Sequence, residues 1–437
     1  MLRKLNPAQI LIVGFFSIIM IGSLLLAAPV SVEGGESDYL TALFTSTSAV
    51  CVTGLVLVDT ATYWTPVGQV VIMLLFQIGG LGIMSFATFV ALLLGRNIQL
   101  KQRLAMQQSI NRSSMEGIIG VFKYLLGLSF VIESIGALVL LAYWAPSMGV
   151  SRALWYGVFH SISAFNNAGF DLMGSFASLS GFAGNALVLF TISFLFIAGS
   201  LSFIVFYELF KYPEKKVLSL HVRIVLITTL IMIAVGAGSF LILEYNNTLQ
   251  GMTGAEKVLT AFFQSSTRTA GFTTVDMGST LLPTQMLVML LMFIGGAPGS
   301  TAGGIKVTTI AILFLAVYSF LRGKRDVEVM ERRIAVGDIF RAAAIFILAL
   351  ILVFLFAFLL SLGHNAHLNV ILFETISALG TVGLSMGLTP ELSSFGKIII
   401  ILAMFLGRVG PLTVAYSIIY NHRKSEIRYA EDRIMVG

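Results

Sequence analysis

Eight apolar runs, at about 10–28, 67–94, 122–145, 184–210, 221–243, 284–320, 339–362 and 396–420, divide this chain of 437 residues. Each is long enough for the roughly 20 residues a helix needs to cross a bilayer. Hydrocarbon offers the backbone no partner, so only helices or a closed barrel can cross it. Runs of this length select helices. Only 11% of the residues are charged, against roughly 25% in a soluble domain, and the mean hydropathy is +0.94. The run 284–320 is too long for one simple span and implies an interruption.

The charges sort by side. Of the 27 lysines and arginines, 21 lie at the N-terminus, in the second, fourth and sixth connections, or in the tail; the others are Arg152, Lys257, Arg268, Lys306, Lys397 and Arg408. This alternation places both termini and the even connections in the cytoplasm. The odd connections carry acids, among them Asp59, Asp171, Glu244, Asp276 and Glu374. A negative outer surface concentrates cations, although each acid taken singly reads equally as a solvated loop residue. The basic surface marks the cytoplasmic side facing membrane lipid; no nucleic-acid partner is implied. The start 1–28 resembles a secretory signal, but its apolar part is long for one and it completes an even number of spans. Cys51 is the single cysteine, and the five histidines form no His-Glu-x-x-His motif. No intrachain disulfide, resident metal site or cofactor on this chain is expected.

The odd connections hold a repeat. With glycines 54, 169, 271 and 383 in register, the segments read SAVCVTGL (48–55), SAFNNAGF (163–170), SSTRTAGF (265–272) and SALGTVGL (377–384). A serine stands six before each glycine, a small residue follows the serine, and a large apolar residue follows the glycine. The separations are 115, 102 and 112 residues, and each period contains one apolar run before the glycine and one after. Such repetition defines the architecture before single residues do. It predicts an all-α membrane protein of four helix–pore-loop–helix units, with eight transmembrane helices around a central pseudo-fourfold pore. The units run 1–95, 96–211, 212–322 and 323–437.

The chemistry follows from the repeat. Non-helical backbone at membrane depth is tolerated where it is buried in protein or lines a watery cavity. Four such segments around one axis make rings of carbonyl oxygens, which replace the hydration shell of potassium. Glycine adopts the backbone angles that such a strand requires. Short helices expected at about 38–50, 153–165, 255–267 and 367–379 would aim their negative C-terminal ends at the same point. The ion-coordinating residues expected are Val52, Thr53 and Gly54; Asn167, Ala168 and Gly169; Thr269, Ala270 and Gly271; and Thr381, Val382 and Gly383. Arg268, inside the third segment, is expected to pack behind it and anchor it through carbonyls or acids. Two other charges interrupt apolar runs. Lys306 ends the stretch 295–306, whose glycine and proline content is too high for a continuous helix; it reads as a break crossing the cavity below the ring. Arg408 places a positive charge in that cavity as a barrier to cations. For both charges the alternative is a snorkelling or packing residue paired with an acid. Glu133 has no assigned role.

Four such units resemble the Trk/Ktr/HKT superfamily of potassium transporters. The segment 266–274, the loop 295–304 and the stretch 407–413 resemble the Ktr-type pore-forming membrane subunit. That resemblance implies a selectivity filter at Gly54, Gly169, Gly271 and Gly383. It implies a gate formed by Gly295, Gly296, Gly299, Ser300, Thr301, Gly303, Gly304 and Lys306, with Arg408 in the same constriction. Sodium carriers of the superfamily have serine at the first filter position, and Gly54 here favours K+. The resemblance further implies Na+ dependence, a homodimer and a separate cytosolic ring binding ATP or ADP. With about 17 residues after the last run (421–437), no nucleotide-binding domain is expected on this chain. Segments 96–116 and 323–341 and the tail are the expected docking surfaces. The localisation expected is the plasma membrane, multi-pass. The alternatives are a secondary transporter of another small solute, which would show two inverted halves, and a sodium-selective cation transporter. An intramembrane hydrolase built on His160 is a remote reading, so no enzyme is expected.

Overall fold

The computed structural model describes residues 7–35, 38–82 and 118–410. Segment 96–116 and the tail beyond 410 lie outside the described residues.

A long helix, a short helix and a second helix recur along the chain. The first set is α1 (Pro7–Leu26), α2 (Tyr39–Val50) and α3 (Pro66–Leu81). The second is α4 (Ile118–Met148), α5 (Val150–Phe165) and α6 (Ala186–Ser200), which leads into α7 (Phe203–Lys215). The third is α8 (Leu220–Glu244), α9 (Gly254–Ser266) and α10 (Leu282–Phe293), followed by α11 (Val307–Leu321). The fourth is α12 (Val336–Gly363), α13 (Leu368–Gly380) and α14 (Ser394–Val409).

The long helices α1, α4, α8 and α12 each contain a stretch long and apolar enough to cross a membrane. Their outer faces expose large apolar side chains such as Leu24, Leu138, Leu230, Ile242 and Phe354, an arrangement water would penalise and lipid favours. The short helices are the reverse. In α2, Thr45, Ser46, Thr47 and Ser48 are all buried, so these helices lie inside the protein. Their starts are capped where the sequence permits. Asp38 accepts from Leu40 N at the start of α2, and Thr253 with Glu256 forms a capping box at α9, which satisfies otherwise orphaned N–H groups.

The second helices are shorter than their apolar runs suggest. The run 184–210, expected as one span, instead bends by 97° between α6 and α7. The serines around the break explain it: the Ser202 hydroxyl caps α7 by accepting from Ile204 N, and the Phe203 N–H turns to the Gly299 carbonyl. Hydropathy reports depth and carries no information on direction. The expected interruption within 284–320 falls between α10 and α11. Helices α3 and α14 stop at Gly82 (φ 83°) and Gly410 (φ 90°), left-handed positions that glycine occupies at little cost. In the polar connection after α11, β1 (Glu328–Val329) pairs antiparallel with β2 (Arg332–Arg333). This hairpin carries the exposed ion pairs Lys324–Glu328 and Arg333–Asp326.

Candidate functional site

Each short helix delivers its chain to one of the four register glycines, and the four meet. Gly54, Gly169, Gly271 and Gly383 have φ of 85°, 73°, 74° and 99°. A Cβ on Gly54 would stand 2.5 Å from the Ala168 carbonyl oxygen, and one on Gly169 would stand 2.7 Å from that of Ala270. One on Gly271 would meet the Val382 carbonyl, and one on Gly383 the Thr53 carbonyl. Every glycine thus abuts the carbonyl that precedes the next glycine, and the last closes on the first. The ring leaves no room for a side chain.

Local hydrogen bonds shape each segment. The N–H groups of Thr53, Ala168 and Val382 donate to the carbonyls of Ser48, Ser163 and Ser377, at 2.8, 2.8 and 2.9 Å. The Ser48 and Ser377 hydroxyls accept from the N–H of Gly54 and Gly383, both at 3.1 Å, which explains the serine six positions before in the first and fourth units; Ser163 instead donates to Phe170 O at 2.6 Å and Ser265 to Ile233 O at 2.8 Å. Val52, Asn167 and Thr381 are left-handed, at φ 57°, 58° and 49°; asparagine tolerates this state, but for the β-branched Val52 and Thr381 it is uncommon and the surrounding bonds must hold it. The third segment departs from this pattern: Thr267–Thr269 forms a 3-10 turn, and Thr269 is not left-handed. Arg268, 3% exposed, donates to the Ile294 and Gly295 carbonyls. It packs behind its segment on carbonyls, with no acid beside it among the described residues.

On one side of the ring, all four glycines line a cavity of about 410 Å³ that also includes Asp59, Asp171 and Asp276. Burial pushes Asp171 up to about 6, opposed by the Met173 N–H bond and reinforced by the Asp59 charge.

On the other side lies the segment between α10 and α11. Ala297, Thr301 and Ala302 are buried, yet the backbone stays bonded, as membrane depth demands. Gly295 N donates to Ile305 O, Ala297 N to Ser200 O, Thr301 N to Gly199 O, and Val307 N to Gly296 O, at 2.8–3.1 Å. A Cβ on Gly303 would strike the Thr381 hydroxyl, and one on Gly304 would come within 3.4 Å of Gly380 O. Gly296 packs against Ser200 O, and the Ser300 hydroxyl is buried without a partner. Lys306 donates to Ala302 O at 2.8 Å, within its own loop. Arg408 donates to the carbonyls of Thr301 and Gly79, with Gly80 O at 3.4 Å. Among the described residues, both charges are therefore held by carbonyls and neither meets an acid. Through Arg408 the loop is tied to the ends of both α3 and α14.

Two features escaped the sequence reading. The first is a second set of glycines, at the C-terminal ends of the second helices. A Cβ on Gly79, Gly199 or Gly407 would collide with the carbonyl of Val50, Phe165 or Leu379, each four residues before its ring glycine. In the third unit the corresponding Gly295 faces Gly303 of the loop. A large apolar residue three positions earlier, Phe76, Phe196, Met292 or Met404, was the available signal. The second feature is a clamp from nine positions before the glycine to three after. His160 Nε2 accepts from Leu172 N at 3.2 Å, and Glu374 accepts from Met386 N at 2.9 Å. His160 Nδ1 meets Tyr156 O, so both ring nitrogens engage backbone and neither activates a serine. Glu133 accepts from Gln77 and Asn166 at 3.0 and 3.2 Å behind the second segment.

The family model for TrkH, described as cation transport protein, matches residues 3–427. The chain belongs to the TrkH family. Its relatives include the Ktr system potassium uptake protein B of Bacillus subtilis, 43% identical over 437 residues, covering 99% of this chain and 97% of the relative. The potassium/sodium uptake protein NtpJ of Enterococcus hirae is 38% identical, covering 100% of this chain and 98% of its own. The crystal structure of the potassium transporter TrkH from Vibrio parahaemolyticus superposes with a TM-score of 0.73 at 18% identity, covering 95% of this chain and 84% of that one. This TrkH-family chain thus shares the helical membrane fold of that structure, and the resemblance read from its sequence holds. Its relatives are ion transporters, in keeping with a chain that is not an enzyme.

Proposed function

We propose that this protein takes up potassium across the plasma membrane through a pore on the axis of the four-glycine ring. The observation that carries the reading is the ring itself: four left-handed glycines closed head to tail, with an acidic cavity on one face and a buried loop on the other. The units 1–95, 96–211, 212–322 and 323–437 each contribute two spans, a half-helix and one filter strand. The filter residues are Val52, Thr53 and Gly54; Asn167, Ala168 and Gly169; Thr269, Ala270 and Gly271; and Thr381, Val382 and Gly383. Their carbonyls replace the ion's water, and the short-helix C-termini favour the cation. The cavity faces outward, and both termini are cytoplasmic.

The gate is the loop from Gly295, Gly296 and Gly299 through Ser300, Thr301, Gly303 and Gly304 to Lys306, latched by Arg408. Its backbone bonds to α6 and to its own ends support reading the loop as a gate in its shut state. From the resemblance we infer a homodimer that rests on a cytosolic nucleotide-binding ring, with Na+ as activator and ATP or ADP acting only through the partner. The hairpin within 323–341 and the segment 96–116 are the docking surfaces. The relative named for both potassium and sodium makes sodium passage the second reading. Both are tested by growth of a potassium-uptake-deficient bacterium on low K+, with this chain alone and with a nucleotide-binding partner. Rescue lost on substituting the ring glycines supports the pore; rescue indifferent to them refutes it.

A further inference from the structure

Thr301 of the loop has every polar function engaged. Its N–H donates to Gly199 O at 3.0 Å, its carbonyl accepts from Arg408, its hydroxyl donates to Phe165 O at 3.1 Å, and the same hydroxyl accepts from Asn167 Nδ2 at 2.8 Å. Asn167 lies two residues before Gly169 in the left-handed state. Its amide also accepts from the Thr269 hydroxyl at 2.9 Å and stands 3.2 Å from Phe196 O. One side chain therefore joins two neighbouring glycine segments to the loop beneath them. Val52 has no polar side chain at the equivalent position, and the Thr381 hydroxyl is buried without a partner. Asn167, Thr269 and Thr301 are themselves buried, at 0%, 3% and 0% exposure.

We infer that Asn167 is a positioning residue that couples the gate to the filter, so that the loop's state sets ion preference and filter occupancy sets the loop. This rests on the pore reading above. When the loop moves, the Asn167 amide loses its closest partner. The Nδ2 hydrogen that faced Thr301 must then shift toward the more distant Phe165 and Phe196 carbonyls, at 3.3 and 3.2 Å, because a buried donor left unpaired is costly. The rebonding displaces a strand whose carbonyl geometry is part of the ring. A link of this kind acts in both directions.

The test is Rb+ uptake into proteoliposomes, with Na+ as competitor, for the full chain and its variants. Thr301→Val keeps the shape and removes both hydroxyl bonds. Uptake should rise about tenfold, and the Rb+ over Na+ preference should fall about fivefold, although Thr301 is outside the four filter strands. Thr301→Ser, which retains the hydroxyl, should return both readouts toward the parent. Asn167→Ala should move the same two readouts from the filter side. A folded Thr301→Val protein with unchanged preference overturns the coupling while Gly54→Ser still alters preference. If Gly54→Ser also leaves preference unchanged, it is the pore reading that fails.

Discussion

Replacing Arg408 with glutamine should open the transporter. The guanidinium donates to Thr301 O in the loop and to Gly79 O at the end of α3, so it staples the loop to two other parts of the protein. A hydrogen bond involving a charged group contributes about 1.5–3 kcal/mol, and two of them would hold about 3–6 kcal/mol. Taking a guanidinium out of water removes much of that gain, which leaves a latch of about 2 kcal/mol. At 1.4 kcal/mol per tenfold, the open fraction rises about 30-fold. The electrostatic barrier proposed for Arg408 is removed by the same substitution, which acts in the same direction. The assay is Rb+ flux into liposomes at matched protein load, with the thermal unfolding midpoint measured beside it. The carbonyls of Gly79 and Thr301 lose a partner, so a lower midpoint is expected. A folded Arg408→Gln protein that conducts no faster than the parent refutes both latch and barrier.

Gly407→Ala should lower stability by about 1–3 kcal/mol through overpacking against the Leu379 carbonyl, despite the roughly 1 kcal/mol that alanine gains in a helix; an unchanged unfolding midpoint would contradict the close approach. Glu374→Gln should cost about 1–2 kcal/mol, because the carboxylate accepts from Ser385, Met386 and Thr389, whereas the amide offers one neutral acceptor and forces the Thr389 hydroxyl to turn and accept. Cation uptake should fall as external pH drops through about 6, where Asp171 protonates and the cavity loses a negative charge; Asp171→Asn should flatten the profile. Because burial raises the native value, ionisation opposes folding as pH rises through it, so Asp171→Asn should be the more stable protein at pH 8 and match the parent at pH 4.

The repeat was legible because a glycine needed for its backbone angles cannot be exchanged freely, so the four-residue register survives where other similarity has faded. The short helices fall close to the stretches expected from it: Tyr39–Val50 against 38–50, and Leu368–Gly380 against 367–379. Arg268 on carbonyls was legible because a free cation in that segment would repel the ion. The bend between α6 and α7 was not, since an apolar run looks the same straight or folded. The glycines 79, 199 and 407 were hidden among the chain's 42 glycines; their role depends on a carbonyl from another helix, and such long-range contacts leave no local periodicity. The departure of the third segment from fourfold register has the same origin: Arg268 takes its partners from residues 294 and 295.

The central claim is that the ring of glycines selects the ion, and the most direct test is the Rb+ over Na+ preference of Gly54→Ser in liposomes. A side chain there must displace the Ala168 carbonyl, 2.5 Å from its Cβ, and hold a left-handed angle that costs about 1–2 kcal/mol. The account predicts a folded protein whose preference for Rb+ falls at least tenfold while Na+ passes more freely. A folded Gly54→Ser protein with the parental preference would contradict it.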